Sequence, residues 1–143
     1  MKPMVYKPDR VLDLLHFGVY REKCYMIVSM GTHPNAYVIC RKGEKYYNEE
    51  YGEIDLFKVE INYARSIEDV KELGMEFDLF LINNQIKPDD WVIGWDYGHS
   101  GDYNGHYGSF YEGYEGKKWT TEEIDREVKF VIDEILDGEL RNE

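Results

Sequence analysis

Residues 120–138 read TTEEIDREVKFVIDEILDG, and their apolar spacing decides the architecture. Ile124, Val128, Val131, Ile132 and Ile135 recur at i, i+4, i+7, i+8 and i+11, which sets them on one stripe of an α-helix. Thr120 and Glu123 stand at capping-box spacing, so the hydroxyl of the first and the carboxylate of the second can each satisfy the other's backbone amide. Gly138 marks the expected stop. Glu122, Asp125, Arg126, Lys129, Asp133 and Asp137 occupy the other face. A helix over 120–137 therefore packs one side on something apolar and keeps a charged, mainly acidic side in water.

The apolar partner is predicted to be a sheet. In CYMIVSM (24–30) Cys24, Met26 and Val28 alternate with Tyr25, Ile27 and Ser29; GTHPN (31–35) breaks the run, and AYVICR (36–41) resumes it, which reads as a hairpin with a five-residue turn. In LFKVEINYA (56–64) Leu56, Lys58, Glu60 and Asn62 are assigned to one strand face, and Phe57, Val59, Ile61 and Tyr63 to the other. WVIGWDYG (91–98), after the turn KPDD (87–90), reads as a central strand. Two short helices are expected. One is DRVLDLLH (9–16), with Val11, Leu12, Leu14 and Leu15 inward; the other is SIEDVKELG (66–74), with Ser66 as N-cap, Asp69 at N3 and Gly74 as the stop. FDLFLIN (77–83) is apolar but ambiguous in type, and KGEKYYNEEYGEID (42–55) reads as a polar, turn-rich connector. The expected fold is one α+β domain over residues 1–143. Its mainly antiparallel sheet takes strands near 22–30, 36–41, 55–63 and 90–96, and the C-terminal amphipathic helix covers it, with the short helices peripheral.

At 143 residues and 43% hydrophobic content the chain suffices for a single core. No run approaches the roughly 20 apolar residues of a membrane span, and MKPMVYKPDR (1–10) lacks the apolar centre of a secretory signal, so a cytoplasmic location is expected. Cys24 and Cys40, both within apolar segments, are expected to be buried reduced thiols. The charge narrows the partners. Seventeen Lys and Arg against 29 Asp and Glu give −12, a surface that repels phosphate backbones and disfavours direct DNA or RNA binding. Such a surface suits docking onto a basic protein.

The segment DYGHSGDYNGHYGSFYEGYEG (96–116) concentrates the remaining chemistry. Asp96, His99, Asp102 and His106 follow one another at spacings of three, three and four, and His33 or Glu112 can complete a donor set for Zn²⁺, Fe²⁺ or Mn²⁺. The bland alternative is a set of side chains that hydrogen-bond to organise the loop. Asp96, His99 and Ser100 also supply the members of a Ser/His/Asp set, although no G-x-S-x-G surrounds Ser100. His33, ahead of Pro34, is expected to make a turn hydrogen bond; if the hairpin and the 96–106 segment share one edge of the sheet, His33, Asp96, His99 and Asp102 converge into one pocket. The glycines do not form a phosphate loop. Tyr103, Tyr107, Tyr111 and Tyr114, with Glu112 and Glu115, lack the basic interleaving of a base-stacking platform and read as a protein-contact or covering loop.

Two motifs carry a resemblance. His33, Pro34, Ala36, Tyr37 and Val38, then Trp91, Gly94, Trp95, Asp96, His99, Gly101 and Asp102, resemble a family of small proteins of unknown function common in bacteriophages and mobile elements of Gram-positive bacteria, over roughly residues 31–135. The family's His-Gly-Gly stretch is missing, with Phe57 to Ala64 in its place, and residues 66–84 look like an insertion suited to remodelling a pocket or binding a partner. The resemblance implies no reaction. It implies an accessory factor acting in the host cytoplasm by binding a basic protein partner, including an anti-CRISPR-like inhibitor of a nucleic-acid-binding defence system. The alternative is a small metal-dependent or acid/base hydrolase with His33, Asp96, His99 and Asp102 in its pocket.

Overall fold

A computed structural model describes residues 13–29, 33–70, 75–97 and 119–141. In chain order the elements are β1 (Asp13–Tyr20), β2 (Lys23–Ser29), β3 (Pro34–Cys40), β4 (Tyr63–Ser66), α1 (Met75–Asn83), β5 (Trp91–Asp96) and α2 (Thr121–Arg141). The strands form one sheet in the order β1-β2-β3-β5-β4, every neighbouring pair antiparallel. β5 thus enters between β3 and β4, as the apolar run WVIGW requires of a strand with both faces covered.

The alternation in β2 and β3 splits the side chains between two cores. Tyr25, Ile27, Ala36, Val38, Ile93 and Trp95 face α2 and meet Ile124, Val128, Val131, Ile132 and Ile135, all five of which are buried. Burying each such aliphatic side chain contributes about 1.5–3 kcal/mol relative to leaving it exposed. The capping box forms as its spacing predicts: Thr120 N donates to Glu123 Oε1 at 3.0 Å and Glu123 N to Thr120 Oγ1 at 3.1 Å. Met26, Val28, Tyr37, Ile39 and Val92 face the other way, against Phe77 and Phe80 of α1 and Ile67 and Ile86. Cys24 and Cys40 are buried and unbridged, one in each core; burial pushes the Cys24 thiol up, against the opposing effect of the Arg41 guanidinium. Among the described residues no helix is long and apolar enough to cross a membrane.

Several local expectations are overturned. The helix over 9–16 gives way, in its described part, to β1, whose residues Asp13 to Tyr20 pair with Ser29 to Lys23. Arg21 and Glu22 form the two-residue connection at φ 52° and 68°, the left-handed geometry that hairpin turns normally reserve for Asn-Gly. Tertiary bonds hold this unusual turn, since Arg21 Nη1 donates to Asp133 Oδ1 at 2.7 Å and lies 3.4 Å from Asp137 Oδ1. The strand at 55–63 is also wrong: only Tyr63–Ser66 pairs, and neither expected face is uniform, since Leu56 is buried while Lys58 and Glu60 are exposed, and Ile61 is buried while Phe57 is 95% exposed. Both carboxylate oxygens of Glu134 accept backbone amides there, from Phe57 at 2.5 Å and Lys58 at 3.1 Å, so α2 supplies the hydrogen bonds a neighbouring strand would have made.

The helix at 66–74 shrinks, in its described part, to one 3₁₀ turn, Ile67–Asp69. Ile67 N and Glu68 N are bonded to the carbonyls of Asp90 and Pro88, and Ser66 Oγ bonds Asp69 Oδ2 at 3.1 Å instead of capping a backbone amide. The ambiguous run 77–83 belongs to α1, which is not peripheral, because Phe77 and Phe80 stack on Phe17 and close the second core. The described parts of this stretch, 66–70 and 75–84, therefore contribute to the second core through Ile67, Phe77 and Phe80. Pro34 and Asn35, assigned to the hairpin turn by the sequence, lie in β3 and pair with Ser29 and Val28, and Gly138 does not stop α2, which runs on to Arg141.

Candidate functional site

The β2–β3 hairpin and the exit of β5 lie at one end of the sheet. Asn35 is the register partner of Asp96, and Tyr97 N donates to Pro34 O at 3.0 Å. Residues 34 and 97 thus form a hydrogen-bonded position, which makes Asn35 and Asp96 a non-hydrogen-bonded pair with Cα atoms about 4.5 Å apart and side chains on one face. The condition for bringing His33 to the same end as Asp96 is met. His33 Nδ1 lies 3.4 Å from Pro34 O, a local turn contact. Asp96 Oδ2 accepts from Asn62 Nδ2 at 3.0 Å, and Asn35 Nδ2 donates to the Tyr37 hydroxyl at 3.0 Å. The buried Oδ1 of Asn35 has no hydrogen-bond partner among the described residues.

Tyr37 forms the floor of this polar corner. Its ring lies over Gly94, the position at which a side chain would collide with it, and Tyr63 meets it edge-on at 5.1 Å. Burial raises the Tyr37 hydroxyl pKa; the Asn35 bond opposes this and the charge of Asp96 adds to it. The phenol is thus held neutral, accepting from Asn35 Nδ2. His99, Ser100, Asp102 and His106, which the sequence offers as further catalytic or metal-binding candidates, lie outside the described residues, as do Tyr103, Tyr107, Tyr111, Glu112, Tyr114 and Glu115. Among the described residues no group of three or more His, Cys, Asp or Glu is placed to hold a metal ion.

A second titratable cluster joins the first hairpin to α2. Gly18 opposes Tyr25, and a Cβ there would stand 2.5 Å from the phenol carbon Cζ, so the glycine lets the ring cross β1. The Tyr25 hydroxyl donates to Asp125 Oδ1, Lys129 Nζ stands 3.0 Å from Asp125 Oδ2, and His16 Nε2 is 3.4 Å from both the hydroxyl and Oδ1. Burial, then this bond and the Asp125 charge, push the Tyr25 phenol far up. For Asp125 burial acts against ionisation, but the bond from Tyr25 and the Lys129 ammonium outweigh it and lower its pKa. A carboxyl lowered in the folded state stabilises the fold above its unfolded value of about 4 and loses that contribution as pH falls through its folded value. Asp125→Asn is accordingly expected to flatten the acid limb of stability, measured by urea denaturation between about pH 2 and 5. An unchanged acid limb would show that Asp125 has no such role. The expected water-facing surface of α2 is in this stretch a structural seam, with Asp133 also accepting from Tyr20 and Arg21.

The third feature is acidic and outward. In the segment read as a connector, Glu49, Glu50, Glu53 and Asp55 are exposed around Tyr51, itself 56% exposed. Trp91 Nε1 donates to Glu49 O at 2.9 Å and tethers this segment to the sheet, while Ile54 and Leu56 plug the α2 core. Tyr46 reports the resulting field: burial raises its hydroxyl pKa first, followed by the charges of Glu134, Glu49 and Asp55. Glu49 and Asp55 of this segment and Glu134 of α2 thus act on it in the same direction. The run EEYGE was the signal in the sequence, an aromatic residue among like charges that cannot serve a core. Comparisons with protein-family models, curated proteins and solved structures find no match.

Proposed function

We propose that this chain is a non-enzymatic accessory protein of phage or mobile-element type, which binds a basic protein partner through an acidic, tyrosine-bearing surface and inhibits a nucleic-acid-binding defence system by occupying its nucleic-acid path. The observation that carries this reading is the run of exposed carboxylates Glu49, Glu50, Glu53 and Asp55 on either side of the exposed Tyr51. Proteins that hold nucleic acid expose Lys and Arg along its path, and a folded surface of opposite sign competes for those cations. Opposed charge also accelerates encounter, so such binding weakens with added salt.

The test is binding to purified guide-RNA-dependent nucleases, with and without their RNA, by biolayer interferometry across a salt series. Wild type is expected to bind a basic effector with a salt-dependent association rate and to be displaced by nucleic acid. Glu49→Lys, Glu50→Lys and Glu53→Lys combined are expected to weaken binding by about 30-fold or more, since like-charge contacts cost several kcal/mol. Binding to none of these effectors, or binding indifferent to salt and to charge reversal, would sink the proposal.

The small hydrolase remains a second reading. The Asn35 Oδ1, without a partner among the described residues, in register with Asp96 and with His33 at the same end of the sheet, supports it. It gains if the purified protein hydrolyses members of an ester and phosphodiester panel and His33→Ala and Asp96→Asn, rather than the charge reversals, abolish that turnover.

A further inference from the structure

We propose that Phe57 and Phe130 form the apolar anchor of the docking surface, and that its occupant is a basic, apolar segment of the partner polypeptide: hydrophobic side chains flanked by Lys or Arg. This deepens the acidic-surface reading and rests on it.

Phe57 is 95% exposed in a segment that is otherwise held firmly. Its own amide and that of Lys58 are bonded to Glu134, and its neighbours Ile54, Leu56 and Ile61 are inserted into the α2 core. The backbone is pinned while the largest apolar side chain of the segment points into water. Leaving a phenylalanine there forgoes the burial of a large apolar side chain, which a partner can recover. Residues 54–61 also line an open hollow of about 280 Å³, room for an inserted side chain.

Phe130 extends the patch. It is 58% exposed and lies one helical turn before Glu134 on α2, and Lys58 Nζ sits 5.0 Å above its ring. The two phenylalanines therefore flank the same carboxylate. Interfaces take most of their energy from such central aromatic residues, with polar neighbours excluding water around them.

Charge selects the occupant. Glu53, Asp55 and Glu60 are exposed along the same segment, against Lys58 as its one cation. An apolar side chain flanked by cations meets opposite charge on this rim, whereas an acidic segment meets repulsion.

The test uses three labelled peptides in fluorescence polarisation at low salt: one alternating lysine and leucine, one with serine in place of leucine, and one with glutamate in place of lysine. The lysine/leucine peptide is expected to bind best, and Phe57→Ala and Phe130→Ala each to weaken it at least about 10-fold. Both variants truncate exposed side chains, so their unfolding midpoints should match wild type. Binding of the lysine peptides that is unaffected by Phe57→Ala overturns the anchor and leaves the acidic-surface reading standing. Equal binding of the glutamate/leucine peptide overturns both, and no binding of the lysine/leucine peptide overturns the anchor. A concentration-dependent dimer in sedimentation, dispersed by Phe57→Ala, assigns the face to a second copy of the chain and overturns the proposed occupant.

Discussion

Gly94→Ala is expected to destabilise the fold by about 3 kcal/mol and to lower the thermal midpoint by roughly 10 °C. Gly94 sits in β5 as the register partner of both Tyr37 on β3 and Tyr63 on β4. A Cβ there would stand 2.4 Å from Tyr37 Cδ1 and 2.8 Å from the Ala36 carbonyl oxygen. The first contact can relax if the ring swings away, at the cost of its packing with Tyr63 and its bond from Asn35. The second cannot relax in this way, because the oxygen belongs to the backbone of an adjacent, fully paired strand. Removing the ring should therefore rescue only partly. The check is a double-mutant cycle with Tyr37→Ala by urea denaturation. Full recovery in the double variant would show that the ring alone resists the substitution, and a loss below about 0.5 kcal/mol for Gly94→Ala would refute the close approach altogether.

Asp90→Ala is expected to cost about 3 kcal/mol, through a different mechanism. Asp90 is buried at 4% exposure, and its carboxylate accepts Lys87 N at 2.8 Å and Lys42 N at 3.3 Å. Its own carbonyl accepts Ile67 N at 2.8 Å. One residue thus joins the chain leaving β3, the turn before β5 and the 3₁₀ turn after β4. Alanine leaves two amides without acceptors and a gap that water enters poorly. Asp90→Asn preserves the shape but replaces one acceptor with a donor, so its loss should be intermediate. Urea midpoints at constant m-value measure both. Equal midpoints for alanine and wild type would refute the joining role.

The polar corner and the acidic surface were legible to different degrees. Asp96 was identifiable because it ends an apolar strand, and His33 because it breaks a hairpin. Asn35 and Asn62 were not, since an asparagine in a strand carries no chemical signature until its neighbour across the sheet is known. The outward position of Phe57 was not legible for the same reason. Alternation from Leu56 onward suggested a strand over 55–63, but Glu134, 77 residues away, claims the amides of Phe57 and Lys58. The contact that places Phe57 outward is made by a helix the local pattern cannot see.

The sequence by itself determined the elements whose period is long and uninterrupted: α2 with its apolar stripe and capping box, the β2–β3 hairpin, the inner strand β5, and a strongly acidic surface. Those follow from local spacing and composition, which are the same whatever the chain folds against. Only the tertiary structure decided β1, whose Arg21-Glu22 turn lacks the usual glycine and is held by Asp133 and Asp137, and the second core under α1. It alone also decided the roles of Gly18 and Gly94. A glycine in a strand says that something lies close, but which ring lies there is settled by register between distant segments. Register follows from burying both faces of the sheet at once, a condition on the whole chain.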